Sequence, residues 1–81
     1  MEREVFPIMV STYEALCDCI ENNVIVIYVF RAFYRENKER VEQCLGDNGY
    51  KMANFRSGWG VFFAKGMILR QKDIPDAYKL L

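Results

Sequence analysis

From Val24 to Phe30 the chain reads Val-Ile-Val-Ile-Tyr-Val-Phe, with apolar side chains at odd and even positions alike. An extended segment of that composition is apolar on both faces. β-Branched and aromatic side chains suit a pleated surface and lose rotamer freedom in a helix, so the run predicts a strand. A strand apolar on both faces belongs in the centre of a sheet, covered from both sides. The remaining pattern is organised around this requirement.

Ahead of it, Glu4 to Val10 predicts a first strand, placed at an edge or bulged at Pro7 because proline cannot donate a ladder hydrogen bond. Ser11-Thr12-Tyr13-Glu14 matches the S-x-x-E capping box, with Val10 and Ala15 at the staple positions. The helix it opens carries Tyr13, Leu16, Cys17 and Ile20 on one stripe, and Asn22-Asn23 ends it. Strand, helix and strand with short links make a βαβ unit, so the first two strands should be parallel neighbours.

After the central run, extended to Arg31 or as far as Tyr34, a second helix is expected over Arg35 to Leu45. Its wet side holds the i,i+4 pairs Glu36–Arg40 and Lys38–Glu42, and its dry stripe Val41, Cys44 and Leu45, with Tyr34 behind. Gly46 is the expected left-handed cap. Tyr50 to Gly66 reads as a hairpin with arms Tyr50–Phe55 and Trp59–Ala64 and a tip at Arg56-Ser57-Gly58. On its second arm Trp59, Val61 and Phe63 share one face. Met67-Ile68-Leu69 fits either more strand or a buried loop. A last helix, capped by Asp73 with Pro75 in its first turn, places Ile74, Ala77, Tyr78 and Leu81 on one side.

The order β-α-β-α-β-β-α predicts one small α+β domain over residues 1–81, with a four-stranded mixed sheet. A winged helix is the alternative, since helices followed by a basic hairpin also describe one. It would require residues 24–33 to be helical or a short strand. Two helices can cover one face of the sheet. The other face falls either to the helix of residues 74–81 or to a second subunit, in which case the protein is a homodimer.

Composition changes this picture in one respect. At 81 residues, 52% hydrophobic and 15% aromatic is more apolar surface than so small an interior can hold, so some aromatics are exposed or buried against a partner. Three cysteines, Cys17, Cys19 and Cys44, are a poor disulfide framework and point to a reducing, cytoplasmic setting. The absence of histidine removes the usual general base and the usual metal ligand. No apolar run reaches the roughly 18–20 residues of a membrane span, and no secretory signal pattern opens the chain.

Net charge is zero but unevenly spread. Residues 1–23 hold one cation, Arg3, against five carboxylates, a net −4; the remainder is +4. From residue 48 to 72 stand Lys51, Arg56, Lys65, Arg70 and Lys72 with no acid. Such asymmetry speaks to partners.

The element order is also that of small thioredoxin-like redox proteins. Their chemistry needs a thiolate at the first helix N-terminus, and that position here is Ser11-Thr12-Tyr13-Glu14. Cys17 and Cys19 fall within the helix, where Cys17 reads as a small core residue. Three thiolates without histidine do not complete a tetrahedral metal site. Glu14, Asp18 and Glu21 read as a solvated stripe rather than converging catalytic acids. The sequence therefore implies no enzyme, no cofactor and no metal.

The chemistry that remains is Arg56-Ser57-Gly58-Trp59-Gly60-Val61-Phe62-Phe63. A Trp between glycines and beside an Arg has an approachable π-face, of the kind enriched at interaction hot spots. The string loosely echoes the RNP1 pattern of RNA-recognition motifs, although the spacing and the element order differ. The expected function is non-enzymatic: a small binding or regulatory protein docking on a larger protein, of a size that fits inhibitors encoded by phages or mobile elements. The expected contact set is Arg56, Trp59, Lys51, Lys65 and Arg70, with Arg31 and Arg35 at the strand end. Single-stranded RNA or DNA binding through the same residues is the alternative, opposed by a pI near 6.2.

Overall fold

A computed structural model describes residues 7–55 and 57–79. Its elements are β1 (Ile8–Val10), α1 (Tyr13–Glu21), β2 (Val26–Phe30), α2 (Arg31–Glu36), α3 (Lys38–Asp47), β3 (Tyr50–Met52), β4 (Gly60–Lys65), a 3₁₀ turn (Gln71–Asp73) and α4 (Asp76–Lys79). The expected strand over Glu4–Phe6, the tip residue Arg56 and the stripe position Leu81 lie outside the described residues.

The four strands form one mixed sheet in the order β1-β2-β4-β3. β1 runs parallel to β2 with Ile8 beside Ile27 and Val10 beside Val29, as the βαβ reading requires. β4 is antiparallel to both neighbours, with Tyr28 opposite Phe62 and Tyr50 opposite Lys65. The architecture is α+β. The winged-helix alternative fails because residues 26–30 are a central strand paired along both edges.

Val26, Ile27, Tyr28 and Val29 are each at most 1% exposed. Burying each of the three aliphatic side chains contributes roughly 1.5–3 kcal/mol, which makes this strand the hydrophobic spine. One face, with Ile27 and Val29, packs Val10, Leu16, Cys19, Val41, Leu45, Tyr50 and Phe63 under the helices. The other, with Val26 and Tyr28, packs Phe62, Ala64, Leu69 and Ile74, flanked by Phe55, Met67 and Tyr78. The chain itself thus covers the second face, through residues 67–78, and the sheet does not call for a second subunit to do so.

Several local expectations are corrected. Thr12, not Ser11, caps α1: its backbone is extended and its hydroxyl accepts from the Ala15 amide at 3.1 Å. Cys17 is exposed and Cys19 is buried. The stripe centres on Leu16; each step turns the helix by about 100°, so Cys17 swings away while Cys19 returns to within about 60°. The second helix begins at Arg31, straight out of β2, and breaks at Asn37. That break puts Glu36 and Arg40 on different helices, so their i,i+4 spacing pairs nothing. Arg40 lies 4.2 Å over the Tyr13 ring instead, and the Glu42 carboxylate accepts from Tyr34. Gly46 lies inside α3; Gly49, at φ 85°, takes the left-handed position. Residues 67–70 are loop, with Leu69 buried and Ile68 exposed. The last helix is only four residues long, and its Ala77 is exposed.

Asparagines stop three helices in the same way. The side-chain amides of Asn22, Asn37 and Asn48 donate to the carbonyls of Asp18, Phe33 and Cys44, four residues back, at 2.7, 3.0 and 2.8 Å. At Asp18 and Phe33 the backbone amide of the same asparagine donates as well, whereas the Asn48 amide turns to Leu45 and the side chain takes its place at Cys44.

Gly60 is fixed by close approach. A Cβ there would lie 2.5 Å from the Val29 carbonyl oxygen and 2.6 Å from the Tyr28 ring. Gly60→Ala must force β4 away from β2, and we expect a loss of about 1–3 kcal/mol in urea unfolding. Gly46→Ala, in α3 with nothing within 4 Å, should be neutral or stabilise by up to about 1 kcal/mol. Equal effects of the two changes would contradict this packing.

Candidate partner-binding groove

α2 leaves β2 without a linker, so Arg31 and Arg35, four residues apart, fall on one side of a short helix. That side faces the described residues of the connection between β3 and β4, 53–55 and 57–59. Between them lie two adjoining concavities of about 660 and 480 Å³, both lined by Arg31, Arg35 and Gly58. The larger continues past Tyr34, Lys38, Met52 and Phe55, and the smaller ends on Phe30 and Trp59. Three cations and four aromatic rings line this groove, and no Asp or Glu is among the described residues that do.

Trp59 is 58% exposed, an unusual state for a tryptophan. It does not continue the face of Val61 and Phe63, which pack toward the helices. Its ring lies stacked over Phe30 instead, centroids 6.4 Å apart and planes at 28°. The Trp59 carbonyl accepts from the Arg31 amide at 2.7 Å, and its own amide donates to the Tyr28 hydroxyl at 3.1 Å. Both backbone groups are therefore held, and the exposed indole stands on a fixed base.

At the far end of the groove, the Tyr34 hydroxyl donates to Glu42 at 2.7 Å, with the Met52 sulfur 3.6 Å away. Burial, then the hydrogen bond to Glu42, then the Glu42 charge push the Tyr34 phenol up to about 12.

The structure separates the expected contact residues. Trp59, Arg31 and Arg35 come together. Lys51 is exposed on β3, beside Ala64. Lys65 ends β4, about 17 Å along the strand from Gly60, where its ammonium donates to Asn23 and lies 5.6 Å from the Tyr50 ring centre. Arg70 flanks the 3₁₀ turn. Lys38, Phe30, Tyr34 and Phe55 were not expected in the set. The helix start at Arg31 brings the first three in, and no single-residue signal in the sequence marks that start.

Cys19 and Cys44 are poorly placed for nucleophilic chemistry. Burial, helped by Asp18, raises Cys19; burial, then Cys17 and Asp47, raises Cys44 against a lowering by Arg40. A reactive thiolate needs the opposite direction. No group of three or more Cys, Asp or Glu among the described residues could hold a metal ion, and no helix among them is long and apolar enough to cross a membrane.

Comparison with protein-family models, with curated proteins and with solved structures returns no match. The functional reading therefore rests on the groove.

The raised Tyr34 pKa makes a pH prediction. The folded state favours the neutral phenol, so the stabilisation is fully present below pH 10, the ordinary tyrosine value, and is lost as pH rises toward 12. Urea-unfolding stability should fall more steeply between these values in wild type than in Tyr34→Phe. Identical slopes would show that neither the burial of Tyr34 nor its contact with Glu42 holds the phenol neutral in solution.

Proposed function

We propose that this chain is a small non-enzymatic binding protein that docks on a larger protein, through the groove between α2 and residues 53–59. The observation that carries this reading is the composition of the lining. Protein contact surfaces are enriched in aromatic residues, Met and Arg and depleted in Lys, Asp and Glu. The groove presents Trp59, Phe30, Tyr34, Phe55, Met52, Arg31 and Arg35, with one lysine and no carboxylate among its described residues. Its positive charge calls for an acidic surface on the partner. The exposed indole supplies the kind of anchor that dominates such contacts.

A regulatory or inhibitory role follows naturally from docking without catalytic chemistry. Three free cysteines support a reducing, cytoplasmic setting. A homodimer is not part of this reading, because residues 67–78 already cover the second face of the sheet. Single-stranded nucleic acid is the second reading, favoured by an open indole beside cations. Zero net charge weighs against it.

The test is affinity capture from the source cell with wild type, Trp59→Ala and an Arg31→Glu/Arg35→Glu variant. A protein retained by wild type should be lost from both variants and should elute between about 0.1 and 0.5 M salt, as screening weakens the charge contacts. A fluorescent oligo-dT titrated at low salt should not bind. Capture indifferent to charge reversal would contradict the docking surface, and salt-dependent oligo-dT binding lost in Trp59→Ala would transfer the groove to nucleic acid.

A further inference from the structure

We infer that Tyr28, a core residue remote from solvent, is a positioning residue for the groove and couples Trp59 to the C-terminal segment. The inference rests on the groove being the contact surface, but its geometry stands independently.

Tyr28 is the largest fully buried side chain among the described residues. Its ring stacks on Phe62, centroids 4.4 Å apart. Its hydroxyl is the middle of a chain with a single polarity. The Trp59 amide donates to the Tyr28 hydroxyl at 3.1 Å, that hydroxyl donates to Ser57 Oγ at 3.3 Å, and Ser57 Oγ donates to the Tyr78 carbonyl at 2.8 Å. Each hydroxyl accepts one bond and donates one, so the links polarise one another in the same direction. Since Tyr28 is wholly buried, its hydroxyl cannot exchange these partners for bulk water.

Both partners of that hydroxyl come from residues 57–59, the segment that carries the exposed indole. The chain then passes to Tyr78, whose ring stands edge-on to Tyr28 at 6.3 Å and whose own hydroxyl donates to the Pro7 carbonyl at 3.0 Å. One network thus joins the Trp59 support, the C-terminal segment and the residue preceding β1. Core packing alone would be served by phenylalanine at position 28. The hydroxyl adds a fixed height and orientation for Trp59 and a dependence of that position on Tyr78. Linkage is reciprocal: a partner that clamps Trp59 in this position strengthens the docking of residues 74–79, and loosening those residues weakens the partner.

Residue-resolved amide exchange on the free protein tests this. In Tyr28→Phe the Trp59 amide should exchange about tenfold faster, while amides of β2 and β4 keep their wild-type rates. In Ser57→Ala, which leaves Tyr28 intact, the Tyr78 amide should exchange faster and Trp59 should follow by a smaller factor. Unchanged Trp59 exchange in Tyr28→Phe would overturn the inference, and so would a rise that runs evenly through the whole sheet. Should Tyr28→Phe fail to fold, Ser57→Ala decides alone, and a Trp59 amide indifferent to it would overturn the coupling. The captured partner separates the two proposals. Affinity falling about tenfold in Tyr28→Phe supports positioning. Affinity lost on charge reversal but unchanged in Tyr28→Phe removes positioning and keeps docking. Altered exchange with capture indifferent to Arg31 and Arg35 removes docking and keeps the Tyr28 network.

Discussion

Tyr28 is fully buried on the central strand, its hydroxyl is costly to leave unpaired, and the rest of this structure is arranged so that it is hydrogen-bonded. Water cannot reach it, and an unsatisfied buried hydroxyl costs about 1–3 kcal/mol. The partners that reach it are Ser57 Oγ and the Trp59 amide. For them to do so, the connection between β3 and β4 must fold over the end of the sheet, and β4 must approach β2 too closely for any side chain at position 60. The same fold-over leaves the Trp59 indole outside, stacked on Phe30 beside the start of α2. The interior constraint and the exposed surface are two ends of one arrangement.

The two faces of the sheet are covered by different means. Helices α1 and α3 close one side with an ordinary amphipathic layer. The other is closed by loop, a 3₁₀ turn and one short helix, in which Leu69, Ile74 and Tyr78 are the gripping side chains. Such a cover has few backbone hydrogen bonds of its own, so its local stability depends on side-chain contacts. Ser57 and Tyr78 tie this weaker layer to the tip. The groove opens where neither layer closes the rim, between α2 and residues 53–59.

The central strand, the βαβ unit, the mixed four-stranded sheet and the hairpin were legible because period-two and period-3.6 patterns are strong there. The helix starting at Arg31 was not, because Phe30 to Tyr34 holds aromatics that suit strand and helix alike, and the Arg31 amide still bonds to the Trp59 carbonyl as the next rung of the β2–β4 ladder would. The i, i+3, i+4, i+7 spacing from Tyr13 puts Cys17 on the apolar stripe, but the buried stripe centres on Leu16 and turns Cys17 outward. Within the site, Trp59 announced itself through its flanking glycines. Arg31 and Arg35 join it by topology, whereas Lys51, Lys65 and Arg70 are close in sequence and spread in space. An acid-free stretch of chain is not an acid-free surface: the observed cation-lined groove takes Lys38 and both α2 arginines from outside that stretch.

The central claim is that a single exposed indole stands among cations at the groove. Trp59 is the sole tryptophan, so steady-state fluorescence quenching by iodide and by caesium reads that surface directly. The account predicts red-shifted emission, with iodide, drawn by Arg31 and Arg35, quenching more strongly than caesium and the difference shrinking as salt is raised. Blue-shifted emission, or equal quenching by the two ions at low salt, would contradict it.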